Sequence, residues 1–411
     1  MNASEVNLFS PEYLADPYPF LKVLREQDPV HFIELAGAWI LTRHSDVHAA
    51  FRNEDLVSDW EQFQVNRMSV VGVDVSNDPY LKMSKETVLG LHGERQKTLK
   101  RLLIPFFSPA KMEELRGFVE RATNESLDRI IAKGAADLAG EYIHPVPLSL
   151  ISGLLGVPAE DKPLIQKWIN DWGLVLEFPP LSEDQRENAN TATIELENYF
   201  TDLFEKNKRK PIPEFDLAAA LIESNQQLDE PFTMYQVICN LIGLYFGGQD
   251  TQVRMTGNWL VALQENPDQK AYIMEDIDRI WSCSSELFRY DTVGQMTARI
   301  ASKDMVIGGK EISKGQTVMM CMASANRDSE KFDNGDVLDL QRPGVEDNRR
   351  EIVTFGGGKH MCLGHNLAHI TVPTMVTTLL KRCPNVQIDV DNAVRNPSIS
   401  TRGFITLPAT W

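Results

Sequence analysis

Ten residues near the carboxyl end of the chain, FGGGKHMCLG at 355–364, combine a cysteine with a cluster of glycines. Three consecutive glycines precede Cys362, and Gly364 follows it. Such a run allows the backbone to turn tightly and to approach another group closely, because no Cβ is in the way. A thiolate held in this way is a strong ligand for iron, and backbone N–H groups aimed at the sulfur tune its electron density. The alternative is an ordinary core cysteine that follows a glycine-rich turn.

A tight turn requires only the glycines, but other residues of this loop also match a known pattern. It resembles the haem-binding loop of the cytochromes P450, in which Phe, Gly, His or Arg, Cys and Gly recur at fixed offsets. Those positions are occupied here by Phe355, Gly358, His360, Cys362 and Gly364. The resemblance, which extends over most of the chain, implies that Cys362 is the proximal metal ligand of haem b. It also implies that Phe355, His360 and Gly364 belong to the cofactor site.

The longest helical candidate, from Thr233 to Gln264, contains the sequence GGQDT at 247–251. Two interior glycines cost a helix about 2 kcal/mol relative to alanine. We therefore expect the helix to open at this glycine pair and to leave room for oxygen and water. The stretch resembles the distal helix motif of the cytochromes P450, where a carboxylate and a threonine deliver protons during oxygen activation. The resemblance implies a catalytic proton relay through Asp250 and a hydroxyl contact from Thr251.

A structural motif of the same family is matched by ELFR at 286–289. Glu286 and Arg289 are three residues apart and therefore share one face of a helix. On its own, an exposed pair at this spacing contributes little to stability. The resemblance implies a buried ion pair, joined by Arg342 of the DLQRP segment, that supports the core behind the cysteine loop.

Haem carries two propionates, so its site requires cations. The resemblance offers Arg299, His360 and Lys100 for this purpose. Bacterial members of the family usually have His and Arg at the positions that Gln96 and Lys100 occupy here. Arginine pairs bidentately with a carboxylate and lysine does not. We therefore expect weaker propionate anchoring, or the use of Arg101.

The family's substrate-lining positions are mostly apolar in this chain, which predicts a largely apolar or aromatic small molecule as substrate. A common Pro-Val pair is replaced by Val293-Gly294, so an unusual pocket shape is expected. The stretch from Val57 to Leu91 looks irregular and is typical of a lid or binding loop. The implied lining residues are Leu241, Leu244, Tyr245, Gly248, Val293, Gly294 and Met296.

Composition and charge exclude several classes of protein. The net charge of −17 argues against a nucleic-acid partner. The five cysteines include no C-x-x-C pair, which argues against a disulfide framework and a cysteine-rich zinc site. The sequence contains neither a secretory signal nor an apolar run of roughly 18 residues, so we expect a cytoplasmic protein without a membrane anchor. No linker or repeat divides the chain, and we expect one large, mainly α domain with smaller β-sheets (α+β) over residues 1–411.

Basic residues lie near the cysteine in an otherwise acidic protein. A basic face over the cofactor would steer an acidic electron donor, such as a ferredoxin with its reductase, or a flavodoxin. The sequence has no glycine-rich dinucleotide fingerprint and no flavin module, so electrons are expected from separate proteins. The basic positions are Lys97, Lys100, Arg101, Lys111, Arg349, Arg350 and Lys359.

Together these features predict a haem-thiolate monooxygenase of secondary metabolism or catabolism. Hydroxylation, epoxidation and oxidative coupling all stay open, as does the identity of the substrate. A peroxide-driven or rearranging haem-thiolate enzyme is a rival, although such relatives typically lose the acid–alcohol pair that Asp250 and Thr251 provide. A non-enzymatic haem sensor needs Cys362 but not that pair. A cysteine nucleophile with His360 as its base would leave the glycines unexplained.

Overall fold

Helices dominate the architecture. The structure is a computed structural model that describes residues 1–206, 208–213, 215–345 and 347–411. Its mainly helical content with small sheets confirms the fold class expected from the sequence. The α-helices of the described residues, numbered in chain order, are α1 Pro11–Ala15, α2 Tyr18–Gln27, α3 His44–Ala50, α4 Trp60–Ser69, α5 Pro79–Glu86, α6 Gly93–Leu103, α7 Pro109–Asp128, α8 Pro145–Leu155, α9 Lys162–Gly173, α10 Glu183–Glu205, α11 Leu217–Gln226, α12 Met234–Glu265, α13 Pro267–Glu275, α14 Arg279–Tyr290, α15 Met322–Ala325 and α16 His365–Arg382.

Short strands form the smaller part of the fold. The largest sheet has the order β1-β2-β8-β5-β3, in which only β2 and β8 run parallel. A three-stranded sheet of order β4-β12-β9 and the hairpins β6–β7 and β10–β11 complete the described strands. The strands are β1 Val30–Ile33, β2 Ala38–Leu41, β3 Leu56–Val57, β4 Ala135–Asp137, β5 Met296–Ala301, β6 Met305–Ile307, β7 Lys310–Ile312, β8 Thr317–Cys321, β9 Gln387–Ile388, β10 Val394–Arg395, β11 Phe404–Thr406 and β12 Pro408–Thr410.

Helix α12 runs through the centre of the protein and packs against α8, α10 and α16. Its first turn is fixed by a capping box, in which Thr233 accepts a hydrogen bond from the backbone of Gln236 and the Gln236 side chain accepts one in return. Apolar residues before the glycine pair belong to one buried cluster, and those from Val253 onward belong to a second. The segment 247–250 therefore lies where the two halves of the core meet.

The structure corrects two expectations about local backbone. Helix α12 is continuous across Gly247 and Gly248, so the glycine pair does not break it. The stretch from Val57 to Leu91 is not irregular, because it contains α4 and α5. Helix α4 begins after Asp59, whose side chain accepts a hydrogen bond from the Gln62 backbone at 2.9 Å. Tertiary contacts that local periodicity does not reveal, such as the ring of Phe63 against Phe178, then stabilise it.

Two further local features complete the fold. Gly308-Gly309 forms the turn of the β6–β7 hairpin, with Ile307 paired to Lys310 across it. Helix α16 extends to Arg382 and includes Pro373 without interruption. Among the described residues, no helix combines the length and apolar character needed to cross a bilayer.

Candidate functional site

The cysteine loop is packed so tightly that glycine is required within it. Gly356 and Gly358 have φ values of 68° and 62°, in the left-handed region that favours glycine. A Cβ at Gly358 would lie 2.1 Å from the carbonyl oxygen of Phe51, at the end of α3. The loop closes through the backbone N–H of Cys362, which donates to the carbonyl oxygen of Phe355 at 2.9 Å. This packing fixes the position of Cys362 at the entrance to α16.

The thiol of Cys362 is solvent-accessible, whereas the other four cysteines are buried. It nevertheless lies deep within the protein, and this burial raises the pKa of the thiol. The backbone N–H of Gly364, the charge of Lys100 and the N–H of His365 act in the opposite direction and favour the thiolate. The sulfur thus faces a space that protein atoms do not fill, with two N–H groups directed towards it.

Positive groups gather on the same side of the loop. Burial and the charges of Arg299, Lys100 and Lys359 lower the pKa of His360 to about 4, and His92 contributes in the same direction. His360 is therefore neutral near pH 7 and can serve a carboxylate as a hydrogen-bond donor rather than as a cation. His92 was not among the predicted site residues, because it lies one turn before the matched positions Gln96 and Lys100.

Arg299 is the most deeply buried of these cations. It lies on β5, opposite Val318 of β8, and is 8% exposed. Its Nη1 atom donates to the carbonyl oxygen of Ala298 at 2.7 Å, and it forms no ion pair with a described acidic residue. Burial lowers its pKa to about 10. A buried guanidinium without a carboxylate is costly, and an anionic ligand would offset this cost.

Gln96 and Lys100 both contact the cysteine loop. The Nε2 atom of Gln96 and the Nζ atom of Lys100 donate to the carbonyl oxygen of Lys359, at 3.0 and 2.8 Å. Both side chains of α6 thus hold the loop at Lys359, three residues before Cys362. Burial lowers the pKa of Lys100, and a negative charge on Cys362 would raise it.

These residues match the chemical requirements of the haem expected from the sequence. Haem needs an axial ligand for iron, and Cys362 offers an accessible sulfur. Its propionates need donors and cations, and Arg299, His360 and Lys100 lie together without a described carboxylate between them. The donor set therefore fits haem.

The open face of α12 is centred on Gly247. This residue is exposed in the middle of a core helix, and no heavy atom lies within 4 Å of the position its Cβ would occupy. One turn further on, the hydroxyl of Thr251 donates to the carbonyl oxygen of Gly247 at 2.7 Å. The Gln252 side chain similarly donates to the carbonyl oxygen of Gly248 at 2.7 Å. The missing side chain at Gly247 thus leaves space beside α12, while the backbone of the helix stays continuous.

Asp250 is paired with a cation that the sequence analysis did not select. The Nε atom of Arg254, one turn further along α12, lies 2.5 Å from its carboxylate. Gly403 allows this arrangement, since a Cβ there would lie 2.3 Å from the Cβ of Arg254. The i,i+4 spacing of acid and base was a visible signal for this pair.

The ELFR motif forms a buried ion cluster. Arg289 donates to both carboxylate oxygens of Glu286, at 2.7 and 2.8 Å, and Arg342 approaches the same two oxygens at 3.2 Å. Glu286 and Arg289 side chains are fully buried. Arg289 also donates to the carbonyl oxygen of Asn326, whose side chain accepts from the Val353 backbone. The cluster is therefore linked to the chain just before the cysteine loop.

The predicted lining residues are not all equally open. Leu241 and Tyr245 are buried, and the Tyr245 hydroxyl lies 3.0 Å from that of Ser152. A Cβ at Gly248 would lie 2.9 Å from Ile151 of α8. Val293 and Met296 are buried in two different apolar clusters, Leu244 is partly buried, and Gly294 approaches Met322.

The basic face is only partly available for an electron donor. Lys97, Lys111 and Lys359 are paired with Glu94, Glu114 and Glu54, at 2.6, 2.6 and 2.8 Å. Arg101, Arg349 and Arg350 are also exposed on this face.

Comparison with known proteins identifies the family. The family model described as Cytochrome P450 matches residues 73–410. Cytochrome P450 CYP107DY1 of Priestia megaterium is 29% identical over 394 residues, with 93% of each chain covered. The polyketide biosynthesis cytochrome P450 PksS of Bacillus subtilis is 28% identical, with 97% of this chain and 96% of its own covered. The solved structure of PksS has a TM-score of 0.86 and covers 98% of this chain and 99% of its own, at 27% identity. This protein therefore belongs to the cytochrome P450 family of haem monooxygenases.

Proposed function

We propose that this chain, as one domain over residues 1–411, is a haem-thiolate monooxygenase that oxidises a largely apolar small molecule. One observation carries the proposal: the accessible thiol of Cys362 and the open face of α12 at Gly247 both border space that protein atoms do not fill. Haem b, when bound there, would supply oxygen activation and transfer of one oxygen atom to the substrate. Hydroxylation, epoxidation and oxidative coupling are all compatible with this proposal.

The residues divide into two roles around that cofactor. Cys362 binds the metal through sulfur, with the N–H groups of Gly364 and His365 favouring the thiolate. Arg299, His360 and Lys100 receive the propionates, and Gln96 positions the loop through the Lys359 carbonyl. Phe355 anchors the loop to the core: its ring lies 5.1 Å from that of Phe288, and its carbonyl oxygen accepts from the Cys362 backbone.

Proton delivery is assigned to two residues of α12, Thr251 and Asp250. Thr251 donates a hydrogen bond from its hydroxyl to the carbonyl oxygen of Gly247, an exposed glycine of the helix. Asp250, beside it, would bring protons from the surface once its carboxylate turns away from Arg254. Electrons would come from a separate acidic donor that contacts the exposed arginines on the cysteine side, either a ferredoxin with its reductase or a flavodoxin. The acid–alcohol pair favours this over peroxide-driven chemistry.

Carbon monoxide binding to the reduced protein tests the proposal. A thiolate-ligated haem should give the red-shifted Soret band, and Cys362→Ser should abolish it. Cys383→Ser, at a buried cysteine outside the site, serves as the control and should retain the band. A normal Soret position in the unchanged protein would overturn the proposal. Supplying peroxide in place of electron donors then distinguishes the rival mechanism, because equal turnover under both conditions would favour it.

A further inference from the structure

Arg67 of α4 is a buried guanidinium without an acidic partner among the described residues. It is 3% exposed, and its Nη1 atom donates to the carbonyl oxygens of Val175, at 3.2 Å, and Glu177. Its Nε and Nη2 atoms have no hydrogen-bond partner in the described part of the chain. The carboxylate of Glu177 is engaged by the Ser398 hydroxyl at 2.6 and 2.7 Å.

Three further buried polar side chains on α4, α5 and the end of α9 also have hydrogen-bonding atoms without a partner among the described residues. Gln64 donates to the Val175 carbonyl at 2.6 Å, but its own Oε1 atom has no partner among the described residues. The hydroxyl of Tyr80 and the Nε1 atom of Trp172 are equally unpaired there. Burial lowers the pKa of Arg67 to about 10, and the nearby Tyr80 and Glu177 act in the opposite direction. We call Gln64, Arg67, Tyr80 and Trp172 the donor cluster, because three of the four offer N–H or O–H groups.

The donor cluster is connected to α12 through the end of α9. Val175, which accepts from both Arg67 and Gln64, lies two residues after the end of α9. The end of α9 contacts α12, where the Trp172 ring lies 5.6 Å from that of Phe246. A Cβ at Gly173 would lie 2.4 Å from the Phe246 ring. Phe246 immediately precedes Gly247, so Trp172 of the cluster is one packed contact away from the proposed reaction site.

The chemistry of the cluster favours an anionic, acceptor-rich group. A buried charge without a partner is strongly unfavourable, and a buried hydrogen-bond donor left unpaired costs about 1–3 kcal/mol. A carboxylate would satisfy several of these donors, since it accepts on two oxygens and pairs bidentately with arginine. A neutral hydroxyl or ester would leave Arg67 without a direct ion pair.

We propose that the donor cluster binds the carboxylate of an acidic substrate, whose apolar body extends along α12 towards Gly247. This inference rests on the proposed function and adds a substrate class to it, an amphipathic carboxylic acid. Arg67 is the specificity-determining residue, and Tyr80 and Trp172 are its supporting donors.

Matched ligands that differ only at the polar end test the inference. Dodecanoic acid, dodecan-1-ol and methyl dodecanoate share one apolar body. We expect the haem-loaded protein at pH 7.5 to bind the acid roughly 10- to 100-fold more tightly than the alcohol or ester, as expected for hydrogen bonds to a charged group. Dissociation constants are measured by calorimetry and by the spin-state shift. Equal binding of the three probes, as expected if water satisfies the donors, would overturn the inference.

Variants assign the preference to Arg67. Arg67→Gln should abolish the preference for the acid and leave alcohol binding within about threefold. Arg186→Gln is the matched control, since it removes a cation that is paired with Asp78 at the start of α5. It should retain the preference. Tyr80→Phe deletes one hydroxyl with little change in packing and should weaken acid binding alone by several-fold. It keeps the test decisive if Arg67→Gln does not fold.

Failure of this inference can be separated from failure of the proposed function. A red-shifted carbon monoxide spectrum with no preference for the acid would leave the monooxygenase proposal intact and remove only the substrate class. A normal Soret position would overturn the proposed function, while calorimetry would still report whether Arg67 binds a carboxylate.

Discussion

The Nε atom of Arg254 lies 2.5 Å from a carboxylate oxygen of Asp250, one turn away on the same helix. The proposed proton relay is therefore held by a neighbour on α12, and the Arg254 stem is fixed against the backbone of Gly403. An ion pair of this spacing at a partly exposed site contributes only about 0.3–0.5 kcal/mol to stability. Release of the carboxylate therefore costs little, which is compatible with a group that must turn to deliver protons.

Replacing the acid should slow turnover far more than replacing its partner. Asp250→Asn removes the titrating group, and we expect product formation to fall about 100-fold with a larger solvent isotope effect. Arg254→Gln keeps the acid, so its rate should stay within about fivefold of the unchanged protein. Steady-state turnover in H2O and D2O measures both. Equal losses in the two variants would show that the acid functions only when paired.

The hydroxyl of Thr251 should control coupling rather than oxygen uptake. Thr251→Ala deletes the donor to the Gly247 carbonyl, and we expect product formed per electron pair to fall about tenfold while oxygen consumption continues. Thr251→Ser is the matched control because it retains a hydroxyl, and it should remain largely coupled. Hydrogen peroxide and product are quantified together. Unchanged coupling in the alanine variant would contradict the proton-delivery role.

The cysteine loop should not tolerate a side chain at Gly358. Gly358→Ala places a Cβ 2.1 Å from the Phe51 carbonyl oxygen and forces a positive φ, so we expect the free energy of unfolding to fall by more than about 3 kcal/mol. Gly309→Ala shares the positive φ but meets nothing within 4 Å, and should cost only about 1–2 kcal/mol. Denaturant unfolding and haem content are measured for both. Equal losses in the free energy of unfolding would show that backbone strain at positive φ, and not the clash with Phe51, accounts for the effect.

Breaking the buried cluster at Glu286 should destabilise the fold. Glu286→Gln leaves Arg289 and Arg342 buried without their anion, which costs about 3–5 kcal/mol. Glu275→Gln is the control, because Glu275 forms an exposed pair with Arg279 at 2.8 Å and should change stability by less than about 1 kcal/mol. Denaturation midpoints measure the difference, and a small effect at Glu286 would refute a supporting role for the cluster.

His369 should make stability depend on pH. Its ring lies 4.6 Å from that of Phe288, and burial, with the charges of Arg349 and His365, lowers its pKa to about 3. The unfolded imidazole has a pKa of about 6.5 and therefore binds the proton more tightly. The stabilisation is complete above about pH 6.5 and is lost as pH falls towards 3. His369→Gln does not titrate, so its stability difference from the unchanged protein should vary by up to about 1.4 kcal/mol per pH unit in this window. A constant difference would contradict the prediction.

The sequence identified segments whose residue types match their local geometry. Glycine is required before Cys362 because the loop packs directly against Phe51. The i,i+3 spacing of Glu286 and Arg289 places both side chains on one face of α14. The sequence missed α4 and α5, because their apolar residues are few and their stability comes from contacts with distant segments such as Phe178. The glycine pair predicted an open helix at Gly247. In the structure the side chains of Thr251 and Gln252 donate to the carbonyl oxygens of Gly247 and Gly248, and α12 is continuous.

By itself, therefore, the sequence determined the chemistry: a thiol in a glycine-rich turn, an acid–alcohol pair on a long helix, and a mainly helical fold. These are local properties, set by residue type and by spacing within a few turns. The tertiary structure decided which groups remain without partners. Only folding places Arg299 without an ion pair to any described acidic residue and buries Arg67 beside Tyr80, because these surroundings are built from segments that lie far apart in the chain.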